Sequence, residues 1–273
     1  MIAKSAILVA FVVCLAFAAR AQNESKAASR AELISGVQAY ELADYENAIQ
    51  HFEKAVDLDP ASVVAHSYLA TACAQLFVPG VDSPENVTWA TKALEQYKEV
   101  LDRDPANVLS AKGMAYINME LKNFDTAKEN YKKVAAMDPN DPESFYSVGV
   151  MDWSMATRDI KAEKVKLDAD SEDALFLSES CTDARVAVLS NIDDGIDMLA
   201  KAITMREDYA DAMVFMNLLY RLRADVECSN QQAHDTDLKQ ADEWSDKAMA
   251  AGRKKAEATK KNNQDSETAA PPR

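Results

Sequence analysis

Three stretches of this chain repeat one spacing of small, bulky and proline residues. In each stretch a small residue is followed by a bulky one after four positions, by a second apolar one after seven and by Pro after twelve; the copies are Ala48–Pro60, Ala93–Pro105 and Ala127–Pro139. Offsets of four and seven place residues on one face of a helix. Proline ends a helix because it lacks the backbone N–H and restricts the residue before it. The spacing therefore predicts helix pairs with a tight turn between them.

The repeated pattern resembles the tetratricopeptide repeat, a helix–turn–helix unit with a period of 34 residues. Pro105 and Pro139 are 34 residues apart, and Gly36 stands twelve residues before Ala48 as the family requires. The resemblance implies an all-α fold, a right-handed α-solenoid of about five units. We place the solenoid at 29–252, with units at about 29–62, 63–107, 108–141, 142–209 and 210–252.

Two departures from the period divide the array. About eleven surplus residues fall around Gln75–Thr88, and the interval from Gly149 to Gly195 is 34 residues too long. The second surplus equals one repeat, so it is either an insertion with longer helices or a degenerate sixth unit. From residue 150 the pattern also weakens, since Glu207 stands where Pro is expected.

The N-terminus predicts export. One lysine, Lys4, precedes an apolar run that ends in the small-x-small site Ala19-Arg20-Ala21. These features are typical of a secretory signal peptide, residues 1–21, with cleavage before Gln22 and a short linker at 22–28. The alternative is an uncleaved anchor. We expect a periplasmic or secreted protein, and the compact signal suits a bacterial host.

The net charge excludes some partners. The chain carries −15, and loss of Lys4 and Arg20 with the signal peptide takes it to −17. Such a charge argues against nucleic acid, whose phosphates require Lys and Arg, and against anionic membrane surfaces. The basic and polar segment 253–273 has few apolar residues to bury, so we expect a disordered tail.

Three cysteines follow the signal peptide. Cys73 lies among small residues and is expected to be buried. Cys181 precedes one predicted helix and Cys228 ends the next. Consecutive helices run antiparallel, so both cysteines fall at the same end of the array. In an oxidising compartment this placement predicts a Cys181–Cys228 disulfide.

The sequence contains no recognisable catalytic constellation. His51, His66 and His234 lack metal-spaced neighbours, and no phosphate-binding or nucleophile-elbow motif occurs. The acidic stretch Asp168–Glu179 resembles a calcium loop, but Asp173 stands where the sharp turn needs glycine. We therefore expect no enzyme activity, no cofactor and no metal.

The resemblance also implies a binding groove lined by the first helix of each unit. Transferred by position, it selects nine residues: Tyr40, Gln75, Lys112, Tyr116, Met119, Tyr146, Trp153, Leu218 and Arg221. The alternative for each is packing between helices. The hypothesis is a non-catalytic exported scaffold that binds a protein or peptide in this groove, with a monomer favoured. The alternatives are an envelope assembly factor that self-associates, and an accessory subunit of an envelope enzyme.

Overall fold

A computed structural model describes residues 2–166 and 175–268, with side chains described for 20–166 and 175–260. Every regular element in these ranges is a helix, and there are ten of them: α1 (Ile2–Glu41), α2 (Tyr45–Leu58), α3 (Val63–Leu76), α4 (Pro84–Arg103), α5 (Val108–Glu120), α6 (Phe124–Met137), α7 (Pro142–Lys166), α8 (Cys181–Met205), α9 (Ala210–Asp225) and α10 (Gln231–Thr268). The predicted all-α fold class of successive helix pairs is confirmed.

The helices divide between two compact units. Unit 1 is Met1–Asn123 and contains α1 to α5, whereas unit 2 is Phe124–Arg273 and contains α6 to α10. The groove residues expected from the sequence are consequently split, five in unit 1 and four in unit 2.

Side-chain caps fix where the helices of unit 1 begin. Asp44, Ser62, Ser83 and Asn107 each precede a helix and accept a hydrogen bond from the backbone N–H three residues further on, at 3.0–3.4 Å. Each cap satisfies one of the four N–H groups that a helix leaves unpaired at its start. The starts of these helices are therefore encoded locally, and Ser62 and Asn107 each stand two residues after one of the repeat prolines.

The small residues of the repeat permit close helix contact. Ala48, Ala70 and Ala93 are fully buried in unit 1, in a core that also contains Phe52. In unit 2, a Cβ on Gly149 would lie 2.8 Å from Leu199 Cδ2 and 3.2 Å from the carbonyl oxygen of Gly195. At both places a small residue lets a neighbouring helix approach, which explains the spacing in the sequence.

Long helices accommodate much of the surplus between Gly149 and Gly195. Both α7 and α8 are 25 residues long, and they pack against each other. Residues 167–174, which include most of the calcium-like stretch, lie outside the described residues.

Both ends of the chain are more helical than the sequence predicts. The 22–28 segment belongs to α1, and Ser25 Oγ donates a 2.6 Å hydrogen bond to the carbonyl of Leu58 on α2. At the other end α10 continues to Thr268, with every side chain of 253–260 exposed. The Lys, Ala and Glu residues of this segment are strong helix formers, which explains why α10 continues without a core to cover.

None of the helices in the described part of the chain is long and apolar enough to cross a membrane.

Candidate functional site

Unit 1 contains an apolar cleft of about 320 Å³. Residues from α1, α3 and α5 and the cap before α5 line it: Tyr40, Val63, Val64, Ser67, Tyr68, Thr71, Asn107 and Leu109. We call this surface the unit 1 cleft. None of its lining side chains is charged, although charged residues make up 27% of the chain. The local chemistry therefore differs from that of the surface as a whole.

Fixed neighbours position the aromatic side chains of the unit 1 cleft. The ring of Tyr68 stacks on the buried ring of Phe52 at a centroid distance of 5.3 Å. Tyr40 meets Tyr45 edge to face at 5.2 Å. These ring contacts position both side chains without a partner, so the cleft is formed before any partner arrives.

Exposed aliphatic side chains complete the cleft. Val64 is 52% exposed and Leu109 is 62% exposed. Thr71 Oγ1 donates to the carbonyl of Ser67 at 2.9 Å, so this hydroxyl is already used within α3. The arrangement offers apolar contact together with a few hydroxyl groups, which suits an uncharged segment of a partner.

The predicted groove residues of unit 1 differ in exposure and in whether they line the cleft. Tyr40 lines the unit 1 cleft. Gln75 is exposed beyond the cleft, Lys112 and Met119 are half-buried, and Tyr116 is 40% exposed. The sequence reasoning missed Val64 and Leu109. Each stands two residues after an N-cap and is more than half exposed.

In unit 2 the predicted aromatic residues pack against one another. Tyr146 lies 5.0 Å from Tyr209 and 5.8 Å from Phe215, and Trp153 meets Phe215 edge to face at 5.2 Å. Burial raises the pKa of Tyr146. Both predicted residues are half-buried and pack against the core of unit 2, and their part in binding stays a prediction.

The two remaining predicted residues lie on α9. Leu218 is half-buried. Arg221 is exposed and forms a 2.7 Å ion pair with Asp242 of α10. Arg221 thus joins the last two helices.

An ionic network crosses three helices of unit 2. Lys128 of α6 contacts Asp152 of α7 and lies 2.9 Å from Asp194 of α8, which also pairs with Lys132 at 2.7 Å. Asp152 is fully buried, and its Oδ2 has no hydrogen-bond partner among the described residues. Burial outweighs the attraction of Lys128 and raises the pKa of Asp152 to about 6.

The structure joins Cys181 to Cys228, the pairing that the sequence predicts, with Cα atoms 5.4 Å apart. Arg185 reinforces this corner by donating to the carbonyl of Val226 at 2.9 Å and pairing with Glu227 at 2.8 Å. Cys73 is a buried free thiol, and burial raises its pKa to about 12.

The surplus residues of the first insertion form a loop that Asn86 holds. Its side-chain amide donates to the carbonyls of Val78 at 2.8 Å and Val81 at 2.7 Å, and its oxygen accepts from the N–H of Val78 at 2.7 Å. Asn86 is 6% exposed. The loop is therefore held by hydrogen bonds to one side chain at the start of α4.

The histidines occupy separate local environments. His51 Nδ1 lies 2.7 Å from Glu32, and His66 contacts Gln96 and the carbonyl of Pro60 at 2.6 and 3.0 Å. The His234 ring packs on Phe176 at 4.6 Å. Among the described residues, no group of three His, Cys, Asp or Glu is arranged to hold a metal ion.

A tetratricopeptide repeat family model matches residues 39–62 and 110–141. These stretches include all of α2 and α6 and most of α5. The match supports the resemblance drawn from the spacing of small, bulky and proline residues. A comparison with curated protein sequences finds no match.

Solved structures share the fold at low sequence identity. A crystal structure of MamA protein is 15% identical with a TM-score of 0.58, over 84% of this chain and 94% of that one. MamA 41-end from Desulfovibrio magneticus RS-1 is 13% identical with a TM-score of 0.56, over 83% and 96% of the two chains. At these identities the likeness shows a common fold and no more.

Proposed function

We propose that this chain is an exported, non-catalytic scaffold that binds a protein or peptide through the unit 1 cleft. The observation that carries the proposal is the uncharged, apolar lining of this cleft in a strongly acidic chain. Exposed apolar residues that cluster around a concave surface are a common sign of a protein-binding site.

The chemistry of the cleft defines the partner. Val64 and Leu109 offer aliphatic surface, while Tyr40 and Tyr68 offer both ring faces and hydroxyls. A buried charge on the partner would lose its hydration without gaining an opposite charge, because no lining residue is ionised. The partner segment is therefore apolar and uncharged where it enters the cleft.

Two observations support export. The first is the signal-like N-terminus that ends before Gln22. The second is the Cys181–Cys228 disulfide, since such bonds persist in oxidising compartments and are rare in the cytosol. Intact mass of the protein purified from its source tests this part of the proposal. A chain that begins at Gln22 is expected, and a chain that keeps residues 1–21 would contradict it.

A capture experiment with a matched pair of variants tests the use of the cleft. The purified chain is immobilised, a captured protein is identified by mass spectrometry, and its affinity for the chain is then measured. Val64→Ser together with Leu109→Ser should weaken that affinity by at least about tenfold, because two apolar contacts are lost. Both side chains are more than half exposed, so the fold should tolerate the change.

The control removes the same kind of surface elsewhere in unit 1. Ile34 and Val87 are 60% and 46% exposed and lie outside the cleft lining. Ile34→Ser with Val87→Ser should leave the affinity within about twofold of the original. Equal losses for the two pairs, or an unchanged affinity for the cleft pair, would refute the role of the unit 1 cleft.

A further inference from the structure

A second cleft lies entirely within unit 2, at the corner where α8 turns into α9 beside α10. Its volume is about 880 Å³. Side chains from the end of α8, the turn before α9, α9 itself and α10 line it. We call it the α10 cleft. It is distinct from the unit 1 cleft on which the proposed function rests.

The register of α10 against α9 explains why this corner is open. Arg223 pairs with Asp237 at 2.6 Å, and Asn217 donates to the carbonyl of Ala241 at 2.8 Å. For antiparallel helices, these pairings place Ala210, the first residue of α9, level with about Met249. The rest of α10, up to Thr268, extends past the first residue of α9 by about 28 Å, at 1.5 Å per residue.

The floor of the α10 cleft is apolar. Ile203, Met213 and Trp244 contribute side chains from three different helices. Met213 is buried, whereas the other two are half-buried and so remain accessible from the cleft. Among the described residues, α10 packs mainly against α9, and its extension forms one wall of the cleft.

The two rims carry opposite charges. Lys247 and Lys254 lie on α10, and Glu207 and Asp208 lie in the turn before α9. Lys247 sits over the Trp244 ring at 3.9 Å. Within the described residues none of these four side chains forms an ion pair, so the charges remain available to a partner.

The spacing of the two lysines selects the geometry of the partner. Residues seven apart on a helix share one face and stand about 10.5 Å apart along its axis. Carboxylates seven apart on a second helix can meet both ammonium groups at once. Addition of a strand to a sheet edge is not available, because the described residues contain no strand.

We infer that the α10 cleft binds an amphipathic helix of a partner protein. Apolar side chains of that helix rest on Ile203, Met213 and Trp244, and its carboxylates pair with Lys247 and Lys254. Glu207 and Asp208 repel the acidic edge of the partner helix and attract basic residues on its other edge. This charge arrangement fixes the orientation of the bound helix. The same two carboxylates disfavour phosphates at this site.

A synthetic helix provides the probe. It is about four turns long, with Leu along one face, two Glu residues seven positions apart beside that face, and a fluorescent label. Anisotropy should show saturable binding to the full chain. Lys247→Glu with Lys254→Glu should weaken binding by about tenfold or more and should favour a second probe in which Lys replaces both Glu residues.

The matched control reverses two charges on the same helix outside the cleft. Lys255→Glu with Lys260→Glu alters the net charge equally, and both side chains are exposed. This control pair should change the affinity by less than about threefold, because only the long-range effect of the net charge is altered. Trp244→Ala should weaken the binding of both probes, because it removes a large apolar side chain from the floor of the cleft.

Three results would overturn the inference. The first is no binding of the probe to the unaltered chain, and the second is an equal loss of affinity in the two charge-reversed pairs. The third is self-association of the unaltered chain in sedimentation that Lys247→Glu with Lys254→Glu abolishes, because a second copy would then occupy the cleft. None of these results depends on the unit 1 cleft, so the two proposals can fail separately.

Discussion

Gly36 of α1 lies against the ring of Phe52 of α2 with no space for a side chain between them. A Cβ on Gly36 would lie 2.6 Å from Phe52 Cδ1. The ring has little freedom to move away, because it is fully buried and stacks on Tyr68. This contact is the physical meaning of the small and bulky positions in the first repeat.

Gly36→Ala should lower the free energy of unfolding by about 1–2 kcal/mol. Overpacking of a core costs about 1–3 kcal/mol, and the better helix propensity of Ala offsets up to about 1 kcal/mol of it. Urea denaturation followed by circular dichroism measures the change. Gly252→Ala is the control, since a Cβ there meets no atom within 4 Å. The control should be neutral or slightly stabilising, and the same sign for both variants would contradict the packing argument.

Asn86→Ala should destabilise unit 1 by about 2–3 kcal/mol. Three hydrogen bonds to the loop are lost, and the N–H of Val78 loses the acceptor that it has in the structure. Limited proteolysis should show faster cleavage within 77–83. The matched control is Asn47→Ala, because Asn47 also stands three residues after an N-cap but is exposed. Comparable cleavage of the two variants would show that Asn86 does not hold the loop.

Asp152→Asn should alter how stability depends on pH. The carboxyl of Asp152 has a pKa of about 6 in the folded chain, above the ordinary value of 3.8. Its contribution is therefore fully present below the ordinary pKa and is lost as pH rises through about 6. Asn cannot ionise, so the variant should gain stability relative to the unaltered chain between about pH 4 and pH 7.

Thermal unfolding of both chains at several pH values measures this difference. Asp197→Asn is the control, since Asp197 lies on α8 but is exposed. The difference between this control and the unaltered chain should stay flat over the same range. Parallel pH profiles for Asp152→Asn and the unaltered chain would show that burial does not perturb the Asp152 carboxyl.

Thiol titration tests the disulfide. The mature protein, denatured without reductant, should yield one free thiol, that of Cys73, and three would refute the pairing. The bond closes a loop with a sequence separation of 47. On the chain-entropy model, Cys181→Ser with Cys228→Ser should lower the free energy of unfolding of unit 2 by about 3–4 kcal/mol.

The periodicity of the sequence predicts the helix pairs well because it reports which face of each helix is buried. It does not report what lies across from that face. Tyr146 and Trp153 occupy the expected positions, but the periodicity does not show that the rings of Tyr209 and Phe215 pack against them. Only the three-dimensional contacts distinguish an aromatic groove from an aromatic core.

Features that depend on distant residues escape the sequence pattern for the same reason. The α10 cleft depends on the register of α9 against α10, which the ion pair of Arg223 with Asp237 helps to set. The buried Asp152 depends on Lys128 of another helix. In contrast, the Cys181–Cys228 pairing follows from the alternation of antiparallel helices, a property that the repeat itself determines.

The burial of Cys73 protects the pairing of the other two cysteines. Three thiols in one chain permit three different disulfides, and a thiolate must reach a sulfur to exchange one for another. Cys73 is fully buried in the core of unit 1, where its pKa of about 12 keeps the thiol protonated. A wrong pair therefore requires unit 1 to unfold. Once unit 1 has folded, the buried thiol of Cys73 can therefore no longer compete with Cys181 and Cys228 for disulfide formation.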